Sequence, residues 1–131
     1  MKNKTILVLL LPFLFSSCDP PHYITFDNDT EETYDVLIIK KANSNNSDLI
    51  YLSENDSIKI KIESRKQYQL HFGIGNWSDD EITEVSNAIE KMIFENQYYS
   101  KTYKNSQAIE KLLLDNRKGK VFKSEIMLKL D

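Results

Sequence analysis

Ser57-Ile58-Lys59-Ile60-Lys61-Ile62, then Glu63-Ser64-Arg65-Lys66, then Gln67-Tyr68-Gln69-Leu70-His71-Phe72-Gly73-Ile74 is the stretch that decides the fold. Three isoleucines alternate with two lysines. After a polar break, Tyr68, Leu70, Phe72 and Ile74 alternate with Gln67, Gln69, His71 and Gly73. Successive side chains of a strand point to opposite faces, so each run gathers apolar groups on one face and polar groups on the other. β-Branched and aromatic residues suit such a half-buried pleat. Two runs of this kind joined by a short polar turn predict a hairpin, dry on one face and wet on the other.

The same period continues toward the N-terminus. Ile24 and Phe26 alternate with Thr25 and Asp27, and Asn28-Asp29-Thr30-Glu31-Glu32 reads as a solvated turn. Tyr34 to Lys41 carries apolar residues on both faces, as a strand near the middle of a covered sheet requires. Ala42 to Asp48 is an Asn/Ser loop, Leu49 to Leu52 a short strand, and Glu54-Asn55-Asp56 a turn.

Toward the C-terminus the period changes. Trp77-Ser78-Asp79-Asp80-Glu81-Ile82 is a helix start: Ser78 can cap, Glu81 completes a capping box, and Trp77 and Ile82 hold the staple positions. Ile82, Val85, Ile89, Met92 and Ile93 form one apolar stripe, which predicts a helix from 79 to about 96 on a sheet face. Residues 106–116 fit either a second, brief helix or part of a closing hairpin with Val121 to Leu130, where Phe122, Ile126, Leu128 and Leu130 alternate. The expected fold is one small α+β domain over 23–131. It is mostly antiparallel sheet of about five to seven strands, with one main amphipathic helix.

Ahead of the domain, Lys2 and Lys4 precede ten consecutive apolar residues, Ile6 to Phe15, followed by Ser16-Ser17-Cys18. The run is half the roughly 20 residues that span a bilayer, and its flanks are those of an export signal. Leu14-Phe15-Ser16-Ser17-Cys18 resembles the lipobox of bacterial lipoproteins, in the relaxed form found in Bacteroidetes, with Phe15 where Leu, Val or Ile is usual. The resemblance covers about the first 18 residues. It implies a signal peptide over 1–17, diacylation (palmitate-like chains) of Cys18 on sulfur, acylation of its α-amine, and an envelope location. Cys18 is the only cysteine, so a lipidated chain has neither disulfide nor free thiol, and thiol chemistry is excluded. Residues 18–22 read as the lipidated cysteine and a short tether, Asp19-Pro20-Pro21-His22, whose two prolines give a reach of about 12–15 Å. No acidic run follows Cys18, which favours the periplasmic face over the cell surface.

Loss of Lys2 and Lys4 with the signal makes the mature chain two units more acidic than the −3 of the whole. That excludes nucleic acid as a partner and leaves the acyl chains as the membrane contact. His71 on the polar strand face has no Gly-x-Ser-x-Gly elbow or placed oxyanion hole beside it, and the only other histidine is His22. Two distant histidines make no zinc pattern. Asp27 to Ile38 fails as a calcium loop, with Glu32 where glycine and Ile38 where glutamate belong. No metal or cofactor is therefore expected. Asp79, Asp80, Glu81 and Glu84 are explained by the helix end. Gly73-Ile74-Gly75 is no phosphate cradle. Asp56-Ser57-Ile58 is similar to the O-glycosylation acceptor motif of Bacteroidetes.

The remaining candidate is aromatic: Tyr98, Tyr99 and Tyr103, among amides and lysines, can form a platform for a sugar ring or a peptide. The expected role is a membrane-tethered, non-enzymatic binding module with an envelope protein or glycan as partner. A periplasmic immunity protein or inhibitor is one alternative, and a small envelope hydrolase with a site near His71 is the other.

Overall fold

The isoleucine-rich run is buried at every second residue in the computed structural model, which describes residues 19–44, 49, 56–119 and 123–131. The signal segment, Cys18, most of the expected strand 49–52, the turn residues Glu54 and Asn55, and Val121 and Phe122 lie outside the described residues. Leu49 is helical and buried rather than extended. The described chain runs β1 (Pro21–Asn28), β2 (Tyr34–Lys40), β3 (Ser57–Ile62), β4 (Gln67–Ile74), α1 (Asp79–Ala88), β5 (Ile89–Glu95), β6 (Ser100–Tyr103), α2 (Ser106–Asp115), β7 (Arg117–Lys118) and β8 (Glu125–Leu130). This is the expected α+β domain dominated by antiparallel sheet; α1 and α2 are both ten residues long, where one main helix and a brief second were the expectation.

The strands form two four-stranded sheets, β4-β1-β8-β7 and β3-β2-β5-β6. β1 and β8 run parallel; the other described pairs are antiparallel. Ile24, Phe26, Leu70, Phe72, Ile126, Leu128 and Leu130 from the first sheet bury against Val36, Ile38, Ile58, Ile60, Ile62, Met92 and Phe94 from the second. The rings of Phe26 and Phe94 meet edge to face at 6.1 Å, joining the two layers. α2 packs on α1, on β5 of one sheet and on β8 of the other, with Ile109 and Leu113 wholly buried.

The predicted hairpin over 57–74 does not form. β3 pairs with β2 and β4 pairs with β1, so the chain crosses from one sheet to the other between them. Glu63–Lys66 makes the crossing, with Arg65 in the left-handed region at φ 58°. An arch of this kind turns both apolar faces toward one core, the same alternation a hairpin shows; only the hydrogen-bond partners differ. β1 and β2 form a second arch, and Asn28 ties the two together. Asn28 is buried, not part of a solvated turn: its Nδ2 donates to the carbonyls of Glu32 (2.7 Å), Ile62 (3.2 Å) and Glu63 (3.0 Å).

The predicted helix to residue 96 stops at Ala88, and Ile89 turns directly into β5. The pairing of β5 with β2 slips at Ile39/Lys40, so Lys40 pairs with Ile89 while Ile39 pairs with Lys91. The extra residue lets Ile89 and Met92, three apart, both bury from a strand. That spacing imitates a helical stripe. Residues 106–115 are helical, capped by Asn105, whose Oδ1 accepts from the Ala108 amide at 2.8 Å, and the closing hairpin is reduced to β7 and β8.

The Ser78 box forms as its sequence requires. Ser78 Oγ accepts from the Glu81 amide (3.1 Å), and Glu81 Oε2 accepts from the Ser78 amide (2.9 Å). Ser78→Ala is expected to lower stability by about 1 kcal/mol, the usual worth of a cap, measured by urea unfolding. A loss under a few tenths would mean that Arg117, which binds Asp79 at 2.7 Å, holds this helix end unaided.

Candidate functional site

At the margin where β6 and β8 face each other, the sandwich is incompletely filled and leaves a cavity of ≈ 270 Å³. β6 is the edge strand of its sheet, and its register sets Lys101 opposite Phe94 and Tyr103 opposite Met92, so both side chains share the inner face. Tyr103 meets Phe94 edge to face at 5.7 Å. Tyr34, first residue of β2, and Tyr99 complete this wall; the other wall is the end of α2, with Leu112 and Asn116, then Lys118 and the chain from Met127 to Asp131. Of the lining residues, Tyr34, Phe94, Leu128 and Leu130 are buried, and Lys101, Lys118 and Lys129 are exposed.

Three features set the chemistry. Tyr34 is only 2% exposed, and its side chain lines the cavity. Burial, then the charges of Asp131 and Tyr99, push its phenol above the ordinary tyrosine value, so it remains a neutral donor. The Lys101 ammonium lies 5.3 Å from the centroid of the Tyr103 ring. Hydrogen bonding with Tyr103, then its charge, raise Lys101 above the ordinary lysine value, against the opposing effect of burial. Finally, the exposed residues Lys101, Lys118, Lys129 and Asp131 border the cavity.

Of the three tyrosines expected to act together, the structure brings Tyr99 and Tyr103 into the cavity. Tyr98 stands apart, 79% exposed, at a turn where Asn96 Oδ1 accepts from the amides of Tyr98 and Tyr99, both at 2.8 Å. Tyr34 and the three lysines were missed. Reading 99–103 as a strand would have placed 99, 101 and 103 on one face. The other contributors converge only through the sheet order.

His71 is exposed on the outer face of its sheet, its ring 5.8 Å from that of Tyr23. The nearby Thr25 hydroxyl donates to Glu125 at 2.8 Å and accepts from Gln69 at 3.5 Å. His22 corrects the expected tether. It lies inside β1, is 3% exposed and stacks on Trp77 at 4.5 Å. Ser57 opens β3, partly buried. The acidic side chains of the Asp27–Glu31 turn diverge: Asp27 accepts from Gln67, while Asp29 and Glu31 take the Arg65 guanidinium at 2.9 and 2.6 Å. Arg65 holds the Glu31 carboxyl below the usual glutamate range.

Among the described residues no group of three or more His, Cys, Asp or Glu is placed to hold a metal ion, and no helix is long and apolar enough to cross a membrane. Comparison with protein-family models, curated proteins and solved structures finds no match to the chain.

Proposed function

We propose that the chain is a lipid-anchored binding module of the cell envelope, non-enzymatic, and that the cavity between β6 and β8 is its recognition site. The observation that carries this reading is the cavity itself: a recess with an apolar floor and convergent polar groups is the usual form of a small-ligand site. Its place suits an anchored protein. β1 starts at Pro21, and Asn28 at its far end pairs with Leu130 of the parallel β8. Seven residues of strand put the Leu130 end of the cavity about 23 Å along the sandwich from Pro21. An anchor at Cys18, with Asp19 and Pro20 before the strand, holds the Pro21 end against the bilayer and leaves the cavity open to the aqueous side.

Two measurements test this. Cys18→Ser is expected to abolish metabolic labelling by an alkyne fatty acid and to release the chain from the membrane fraction. Retained labelling would end the lipoprotein reading. A photo-crosslinking residue at Tyr99 is expected to trap an envelope component in cells, while the same residue at the exposed Lys59 of β3 traps none. Equal trapping at both, or none at either, would defeat the cavity as the recognition site.

A further inference from the structure

We propose that the outer face of the first sheet, where Ile74 stands beside Pro21, is a bilayer-contact surface, with the Ile74 side chain entering the boundary between lipid headgroups and acyl chains. The occupant is a lipid surface. This deepens the lipid-anchored reading and rests on it.

Two independent observations lead there. The first is a bulge. Leu70, Phe72 and Ile74 alternate as core residues do, and Leu70 and Phe72 are buried. β4, however, carries one extra residue: His22 pairs with Gly73 and Tyr23 with His71, so Phe72 has no partner of its own. A bulge re-aims the side chains beyond it. Past it, with Gly73 at φ 139°, Ile74 pairs with Pro21 on the outer face and is 72% exposed. The other exposed large apolar side chains among the described residues are all tyrosines.

The second is position. The Gly75 amide donates to the Pro20 carbonyl at 2.7 Å, so the chain is already fixed at Pro20, and Asp19 alone separates that point from Cys18. Three residues of extended chain put Cys18 within about 11 Å of Pro21. Acyl chains on Cys18 therefore bring Ile74 to the membrane surface. The outer face is graded to match. Behind Ile74 and Pro21 stand Tyr23 and His71, and the far end of β1 holds Asp27 between Gln67 and Lys129. An apolar tip backed by a ring with a polar end suits the interface, where one end of a side chain is dry and the other wet.

A simpler account is that the bulge blunts an edge strand against association, and that single apolar side chains are common on surfaces. It explains an irregular β4 and an exposed residue. It does not explain why the residue turned outward is an isoleucine, or why it lies across from Pro21, at the end of the domain nearest the anchor.

The test uses the full mature chain, reconstituted in vesicles of phosphatidylethanolamine and phosphatidylglycerol, with a nitrobenzoxadiazole label on Ile74→Cys or on Tyr98→Cys. With Cys18 acylated, the introduced cysteine is the only thiol to label. Tyr98 is the control: it is 79% exposed and lies at the opposite end, where its neighbour Gln97 donates to Glu32. Lipid spin-labelled near the top of its acyl chains is expected to remove most of the emission at 74 and little of that at 98, with far-UV circular dichroism of both variants unchanged. Equal quenching at the two positions, or none at 74, in a chain that floats with the vesicles would overturn the contact and leave the anchor. A chain that does not float would overturn anchor and contact together. Should either variant misfold, the methyl resonances of the unlabelled protein in lipid nanodiscs serve instead. Spin-labelled lipid is expected to broaden Ile74 well beyond Ile93 of the second sheet, and equal broadening would overturn the contact.

Discussion

Asn28→Ala is expected to lower the melting temperature by about 10–15 °C, corresponding to about 3 kcal/mol in a domain of this size. The side chain is 1% exposed, and both ends of its amide are used. Nδ2 donates to the carbonyls of Glu32, Ile62 and Glu63, and Oδ1 accepts from the amide (3.1 Å) and hydroxyl (2.7 Å) of Thr30. One residue of the first sheet thus holds the end of β3 in the second, and fixes both places where the chain crosses between sheets. Truncation leaves the buried Ile62 carbonyl without this partner and frees the Thr30 turn, and losses within one network exceed those of separate bonds. Asn28→Asp distinguishes hydrogen bonding from packing. Aspartate fills the same space, but at neutral pH it presents only acceptors to three carbonyl oxygens, so it is expected to destabilise at least as much as alanine. Thermal melts followed by circular dichroism measure both variants. An Asn28→Asp protein melting within a few degrees of the parent would show that shape, not donation, is what the position requires.

Asn28 also marks where sequence reasoning fell short. Asn beside Asp, Thr and Glu has the composition of a solvated turn, and nothing local distinguishes an amide facing water from one facing two carbonyls 34 and 35 residues away. Period-2 alternation identified the faces of β1, β3, β4 and β8 because burial repeats every second residue whatever the strand pairs with. It did not identify partners. Ile58, Ile60 and Ile62 face the core identically in a hairpin or an arch, and the choice depends on β1 and β2 already lying in different sheets. The end of α1 was illegible for another reason. No glycine or proline follows Ala88, and a bulge gives Ile89 and Met92 a helical interval, so the demand of β2 for a second neighbour overrides the local pattern.

The site was half legible. Tyr99 and Tyr103 stood out because aromatic side chains in a polar stretch have no obvious core to join. Tyr34 did not, because it opens a strand apolar on both faces and reads as core, which its burial bears out. Lys101, Lys118 and Lys129 are ordinary surface lysines one at a time. That they border one cavity depends on β6, the edge of its sheet, lying beside β8 of the other, a consequence of two sheet orders that no single stretch contains.

Trp77→Ala is expected to have the larger effect, about 3–5 kcal/mol, a large part of what holds a small domain folded. Trp77 is 2% exposed, and its ring lies between His22 at 4.5 Å and Phe72 at 5.1 Å. Its indole N–H donates to the Tyr23 carbonyl at 3.2 Å, its amide to the Lys123 carbonyl at 2.8 Å, and its carbonyl accepts from Arg117 at 3.0 Å. The staple position ahead of α1 accounts for its being apolar, not for these contacts. They seat the first turn of the pleat in β1: Gly75 donates to the Pro20 carbonyl at 2.7 Å, and the His22 ring packs over Gly73, within ordinary contact of where a Cβ would stand. Removing the indole therefore loosens the segment from Pro20 to Tyr23 before the rest of the sheet. Trp77→Phe keeps most of the ring and loses the N–H, and is expected to cost about 1–2 kcal/mol. Urea unfolding by circular dichroism gives the totals, since the substitution removes the chain's only tryptophan. Hydrogen exchange gives the place: amide protection at Tyr23 and Ile24 should fall further than at Val36 and Ile38 of the opposite sheet. In a lipid-anchored chain that loosening lengthens the tether and lets the domain swing from the bilayer. Uniform loss of protection across both sheets would show instead that Trp77 supports the whole core and has no special hold on the start of β1.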